Sequence, residues 1–189
     1  MSIELLEIAV ADFSRALSEV TEAEWSAQTV CDDWDVRGLV NHMVGGALMT
    51  EAVLQGGSRE EAVALMSTLQ LSSNPKEDLL NSASAHVAAF RALDSLDTVV
   101  HHPAADMPAA QLLNFRIGDY VLHTWDLVTS LGKSVELNAD CVQFVWTALQ
   151  PMAPFIGQLG MFGEGPSGTV SEDAPLQDRL VDFTGRRLN

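Results

Sequence analysis

Asp119 and His123 stand four residues apart, so on a helix their side chains leave the same face about one turn from each other, close enough to share one metal ion. Alone, that spacing equally describes an exposed carboxylate–imidazole pair. Their neighbours narrow it. At about 100° per residue, Arg116, Asp119, His123 and Asp126 fall within a sector of roughly 80°, flanked by Phe115 and Leu122 on one side and by Leu113, Tyr120 and Leu127 on the other. A surface helix exposes a broader polar face. A stripe this narrow therefore predicts polar residues that point into a cleft of a helical bundle, although an exposed groove would give the same pattern.

His42 offers a second imidazole from another predicted helix, away from that helix's main apolar stripe. Its helical neighbours are Gly38, Gly45, Gly46 and Met49. Each interior glycine costs a helix roughly 1 kcal/mol relative to alanine, so this cluster predicts close approach by a ligand or by another helix. His86 reads as an ordinary core or surface histidine, and the adjacent His101 and His102 as loop residues pointing apart.

The elements that must position these residues read as helices. Leu6, Val10, Phe13 and Leu17 recur at helical spacing over residues 3–20, with Ser2 as N-cap. A turn with capping-box spacing, Thr21 to Glu24, leads to the polar segment Cys31 to Asp35. Asp35 caps a second helix, Val36 to Leu54, with Val36, Val40, Met43, Ala47 and Leu54 on one face and Gly56 and Gly57 at its end. A shorter helix spans 59–71. Asn74, Pro75 and Glu77 open a third long helix, carried by Leu80, Ala83, Val87 and Phe90 and ending near Asp94. Asp97 to Pro108 reads as a long connection, extended briefly over Thr98 to His101. Further helices span Ala109 to Leu131, stopped by Gly132, and Ala139 to Gln150, before Pro151 and Pro154. From Gly157 to Pro175, five glycines and two prolines predict an irregular strap, followed by a final helix from Leu176 to Phe183. With no alternating strand pattern, the class is all-α: a four-helix bundle with additional short helices and an irregular C-terminal strap, as one domain over residues 1–189.

Composition sets the context. Of 189 residues, 47% are hydrophobic and 19% charged, enough for a core and unlike a disordered chain. The net charge of −16, from 26 acidic and 10 basic residues, would repel phosphate backbones and anionic lipid surfaces, so neither nucleic acid nor membrane is an expected partner. No apolar run approaches the roughly 20 residues that span a bilayer, and the first ten residues carry acids where a signal peptide carries Lys or Arg, so a cytoplasmic location is expected. The two cysteines, Cys31 and Cys141, read as small hydrophobes in a reducing compartment, with a single disulfide between them as the alternative.

Three segments carry a family resemblance: WDVRGLVNHMVGG at Trp34 to Gly46, GDYVLHTWDL at Gly118 to Leu127, and DAPLQDRL at Asp173 to Leu180. With them the chain resembles the DinB-like superfamily of metal-binding four-helix bundles, in the actinobacterial branch related to the N-terminal domain of mycothiol-dependent maleylpyruvate isomerase. The resemblance implies a metal held by His42, Asp119 and His123. Two imidazoles and one carboxylate suit Zn²⁺ in a site with open positions, and by ligand type Ni²⁺, Fe²⁺ or Mn²⁺ as well. Asp126 and Asn41 are expected to support the ligands, and Arg116 to bind a substrate carboxylate or to pair with an acid. The related isomerases carry Glu at the position of Asp119, one methylene longer, and an additional C-terminal domain that this chain is expected to lack.

The implied activity is a thiol-dependent transferase or isomerase, with mycothiol or a similar low-molecular-weight thiol as cosubstrate and a small electrophile as substrate. The thiolate would add to an electrophilic carbon, giving conjugation, or add reversibly to a double bond, giving cis–trans isomerisation. The alternative is a non-catalytic metal-binding or ligand-binding module, with a homodimer as its candidate assembly. A metal-assisted hydrolase is a weaker third reading, with Asp126 as its one candidate base.

Overall fold

The computed structural model describes residues 2–31, 33–158, 160 and 162–188. These divide into two compact units, Met1–Val135 and Glu136–Asn189. In the first unit α1 (Ser2–Ser18), α2 (Val36–Leu54), α4 (Pro75–Arg91) and α5 (Ala109–Ser130) form the bundle, with α3 (Arg59–Thr68) beside α2. α1 packs on α4 and α5, and α2 packs on the same two helices. The second unit holds α6 (Ala139–Leu149), a 3-10 segment over Gln150–Gln158 and α7 (Leu176–Phe183). No helix among the described residues is long and apolar enough to cross a membrane.

Local chemistry explains the element boundaries. The Asp35 carboxylate accepts from the Gly38 N–H at 2.7 Å and so starts α2. Thr21 and Glu24 form their capping box, although on a 3-10 turn rather than a full helix. Ser58 and Glu61 form another at the start of α3. The side chain of Ser2, expected to cap α1, lies outside the described residues. Pro151 and Pro154 end α6 without ending helical winding, because the tighter 3-10 geometry carries the chain on to Gln158. The extended stretch expected near Thr98 becomes one strand of an antiparallel hairpin, β1 (Val99–His101) paired with β2 (Asp106–Pro108).

The core is drawn largely from the expected stripes, although on α1 Ala9 is buried where Val10 is half-buried, and on α4 the phase shifts. Leu6, Ala9, Phe13 and Leu17 of α1, Leu39, Val40 and Met43 of α2, and Leu112, Leu113, Ile117 and Tyr120 of α5 are buried. On α4 the buried row is Leu79, Ala83, His86 and Phe90, whereas Leu80 is 55% exposed. An apolar stripe through Leu80 would have turned His86 outward. In the bundle the Leu79–Phe90 row faces the core, and the imidazole goes inside with it.

His86 is fully buried, stacked on Tyr120 with ring centroids 5.8 Å apart, and its Nδ1 donates to the Ser82 carbonyl at 3.3 Å. Burial, reinforced by the Arg116 guanidinium and opposed by the Ser82 carbonyl, pushes its pKa down to about 3. The unfolded chain takes up a proton near pH 6.5 that the folded chain refuses, so this contribution to stability is complete above about pH 6.5 and declines as pH falls towards the folded value. The slope is about 1.4 kcal/mol per pH unit. Urea unfolding at pH 7 and pH 5 should therefore show a larger loss for the wild type than for His86→Phe. Equal losses would contradict a buried neutral His86.

Candidate metal centre

α2 and α5 face each other in the bundle, and this pairing brings His42 to Asp119 and His123. One ligand atom from each of the three residues lies within 4.8 Å of the others, a separation that one ion can bridge. His123 is buried, and His42 and Asp119 are half-buried. Solvent therefore reaches the set through His42 and Asp119.

Both imidazoles are held by their neighbours. The His42 ring stacks on Trp34 with centroids 4.6 Å apart and planes at 25°, and meets the His123 ring edge-on at 5.0 Å. Trp34 is placed by the turn that precedes α2, where its N–H donates to the Cys31 carbonyl at 2.9 Å. Burial lowers the His42 pKa to about 4; Asp119 opposes the shift, while His123 and Arg116 add to it. His42 thus presents a neutral ring near pH 7, the form that donates a lone pair. Nδ1 of His123 contacts Oδ2 of the fully buried Asp126 at 2.8 Å. With the proton on Nδ1 facing that carboxylate, the lone pair of Nε2 is left for a ligand.

Arg116 lies beneath the set. The residue is 2% exposed, and its guanidinium donates to Oδ2 of Asp119 at 2.5 Å and sits 5.4 Å from the Tyr120 ring centroid. Gly46 makes this possible. A Cβ on Gly46 would overlap Nη1 and come within 2.8 Å of the guanidinium carbon, so the glycine beside His42 serves a side chain of the facing helix. Gly46→Ala is expected to destabilise by about 1–3 kcal/mol through overpacking, outweighing the roughly 1 kcal/mol that alanine adds as a helix former. Chemical unfolding measures the sign, and a stabilised variant would mean that Arg116 has another place to go.

The remaining candidates divide. Arg116 and Asp126 each contact one of the three clustered residues, whereas Asn41, half-buried on α2, makes no hydrogen bond to them among the described residues. His101 closes the hairpin by an Nδ1 contact to Asp106 at 3.0 Å. His102 packs on Phe115 at 6.4 Å, one helical turn before Asp119. The residue that sequence reasoning missed is Cys31. Expected as a small hydrophobe, it places its Sγ 3.4 Å from Oδ2 of Asp126. The available signal was its position in the polar CDDWD run that ends at the α2 cap, Asp35.

Comparison with known proteins follows the same lines. Two uncharacterised proteins of Mycobacterium tuberculosis, from strains CDC 1551 / Oshkosh and ATCC 25618 / H37Rv, are each 23% identical over 187 residues, covering 93% of this chain and 92% of theirs. The crystal structure of the mycothiol-dependent maleylpyruvate isomerase superposes with a TM-score of 0.69 at 20% identity, over 98% of this chain and 88% of that one. A histidine-to-alanine variant of that enzyme gives 0.67 at 18% identity, over 95% and 86%. These likenesses establish the all-α, DinB-like fold. The family described as the mycothiol maleylpyruvate isomerase N-terminal domain matches residues 6–128, a stretch that contains His42, Asp119 and His123, and the chain belongs to that family.

Proposed function

We propose that this protein is a divalent-metal-binding, thiol-dependent transferase or isomerase, with mycothiol or a similar low-molecular-weight thiol as cosubstrate and a small electrophile as substrate. The observation that carries the reading is the convergence of ligand atoms of His42, Asp119 and His123 within 4.8 Å, in a bundle whose family is named for a mycothiol enzyme. The donor set fits a metal: two imidazoles, one of them neutral through burial, and one carboxylate, which leave coordination positions for an exogenous thiol. Zn²⁺ matches these donors best, with Ni²⁺ compatible.

When bound, the metal would favour the thiolate form of the thiol at neutral pH. The rest of the work belongs to the chain. Asp126 keeps the proton of His123 on Nδ1, Arg116 holds Asp119 in one rotamer, and Trp34 covers one face of His42 against water. Neither cysteine is needed as a nucleophile in this scheme, because the sulfur arrives with the cosubstrate.

The test uses Co²⁺-loaded protein in which both Cys31 and Cys141 are serine, so that any sulfur ligand must come from outside. Addition of mycothiol is expected to produce an intense sulfur-to-cobalt charge-transfer band, which His123→Ala abolishes. Bound Co²⁺ with no response to mycothiol, bacillithiol or glutathione would overturn the thiol-dependent reading in favour of a non-catalytic metal-binding module.

A further inference from the structure

The turn that carries Cys31 is tied to the same stretch of α5 that carries Asp126. The Val30 N–H donates to Oγ of Ser130 at 2.9 Å, and Ser130 in turn donates to the Asp126 carbonyl. Within the turn, the Cys31 N–H donates to Oγ1 of Thr29 at 3.2 Å, and the Cys31 carbonyl accepts from the Trp34 N–H at 2.9 Å. The thiol is therefore presented to Asp126 by a hydrogen-bonded frame. Ligand atoms of Cys31, His123 and Asp126 all lie within 4.8 Å of one another, as those of His42, Asp119 and His123 do.

We propose that Cys31, His123 and Asp126 form a second, sulfur-containing metal site, specific for thiophilic divalent cations such as Zn²⁺, Co²⁺ or Cd²⁺, that shares His123 with the His42 and Asp119 set. Metal–ligand bonds of about 2.0–2.3 Å at tetrahedral angles place sulfur and oxygen donors about 3.5 Å apart and nitrogen and oxygen donors about 3.3 Å apart. The observed 3.4 Å between Sγ and Oδ2 already matches. The 2.8 Å between Nδ1 and Oδ2 has to open by about 0.5 Å, as coordination replaces the hydrogen bond.

Charge favours this site for a buried cation. A thiolate and the Asp126 carboxylate together neutralise M²⁺, whereas in the other set the Asp119 carboxylate is already paired with the Arg116 guanidinium. On binding, Cys31 loses its thiol proton to solvent, and the His123 proton moves from Nδ1 to Nε2. That Nε2 can then no longer donate a lone pair to the His42 and Asp119 set. The two sites are thus alternatives, open with nitrogen and oxygen donors or sulfur-ligated, and the inference does not depend on any thiol-dependent activity.

Titration of Co²⁺ into the full chain, kept reduced without any thiol reagent, tests it. A near-ultraviolet thiolate-to-cobalt band is expected in the wild type and in Cys141→Ser, at full strength in His42→Ala, weakened in Asp126→Asn and lost completely in Cys31→Ser. In His42→Ala a pH-stat should register one proton released per Co²⁺, and this release should disappear when Cys31→Ser is added. Cobalt absorption with no sulfur band in His42→Ala, or a band that survives Cys31→Ser, overturns the site while leaving the His42 and Asp119 reading standing. Loss of the mycothiol response in the cysteine-free protein, with the Cys31 band intact in the wild type, would do the reverse.

Discussion

In a Cys31→Ser background, His42→Ala and His123→Ala are each expected to purify with almost no divalent metal, while His86→Phe in the same background retains it. The background removes the sulfur donor that would otherwise compensate for the loss of His42. Loss of a partner that merely supports a metal ligand costs about 10–100-fold in affinity, so loss of a ligand itself should exceed that range. His86 provides the control because it is fully buried on α4, stacked on Tyr120 and outside both ligand clusters. Elemental analysis after dialysis reads the result. Near-stoichiometric metal in both histidine-to-alanine variants would remove His42, Asp119 and His123 as a site.

Asp119→Ala should lower stability by about 3 kcal/mol even in metal-free protein, because it leaves the Arg116 guanidinium buried without its carboxylate. Arg116→Met should cost less, since an apolar side chain of similar length fills the space over Tyr120 without a charge to desolvate. The double variant should recover most of the loss caused by Asp119→Ala, while metal binding at the His42 set stays lost. That split separates the two roles of Asp119, as partner of a buried cation and as ligand. Urea unfolding of the four proteins gives the coupling. Additive losses would mean that the guanidinium finds other partners, and recovery of metal binding in the double variant would exclude Asp119 as a ligand.

Much of the bundle was legible because its signals are local. Asp35 caps α2, glycines follow α2 and α5, and the apolar rows of α1 and α5 are periodic within single helices, so short-range sterics and hydrogen bonding suffice to read them. The narrow polar stripe of α5 had the same virtue. Arg116, Asp119, His123 and Asp126 share one face by helix geometry alone, and in the structure Arg116, His123 and Asp126 are buried.

Tertiary structure decided what depends on which helix faces which. Whether Leu79 or Leu80 enters the core is settled by which face of α4 packs on α1 and α2, and His86 follows that choice. The glycines around His42 announced a close approach, but only the packing of α2 on α5 shows that Gly46 yields to the Arg116 guanidinium. Cys31 precedes Asp126 by 95 residues, and no periodicity links a turn to a helix so distant in sequence. A contact of that kind exists only once the turn is bonded to Ser130. The sequence determined which residues carry donor atoms and which helical face they occupy, because the 3.6-residue period is written into the chain. Their pairing across helices, and hence the choice between two ligand sets at His123, arises from the burial of apolar surface that locks those helices together.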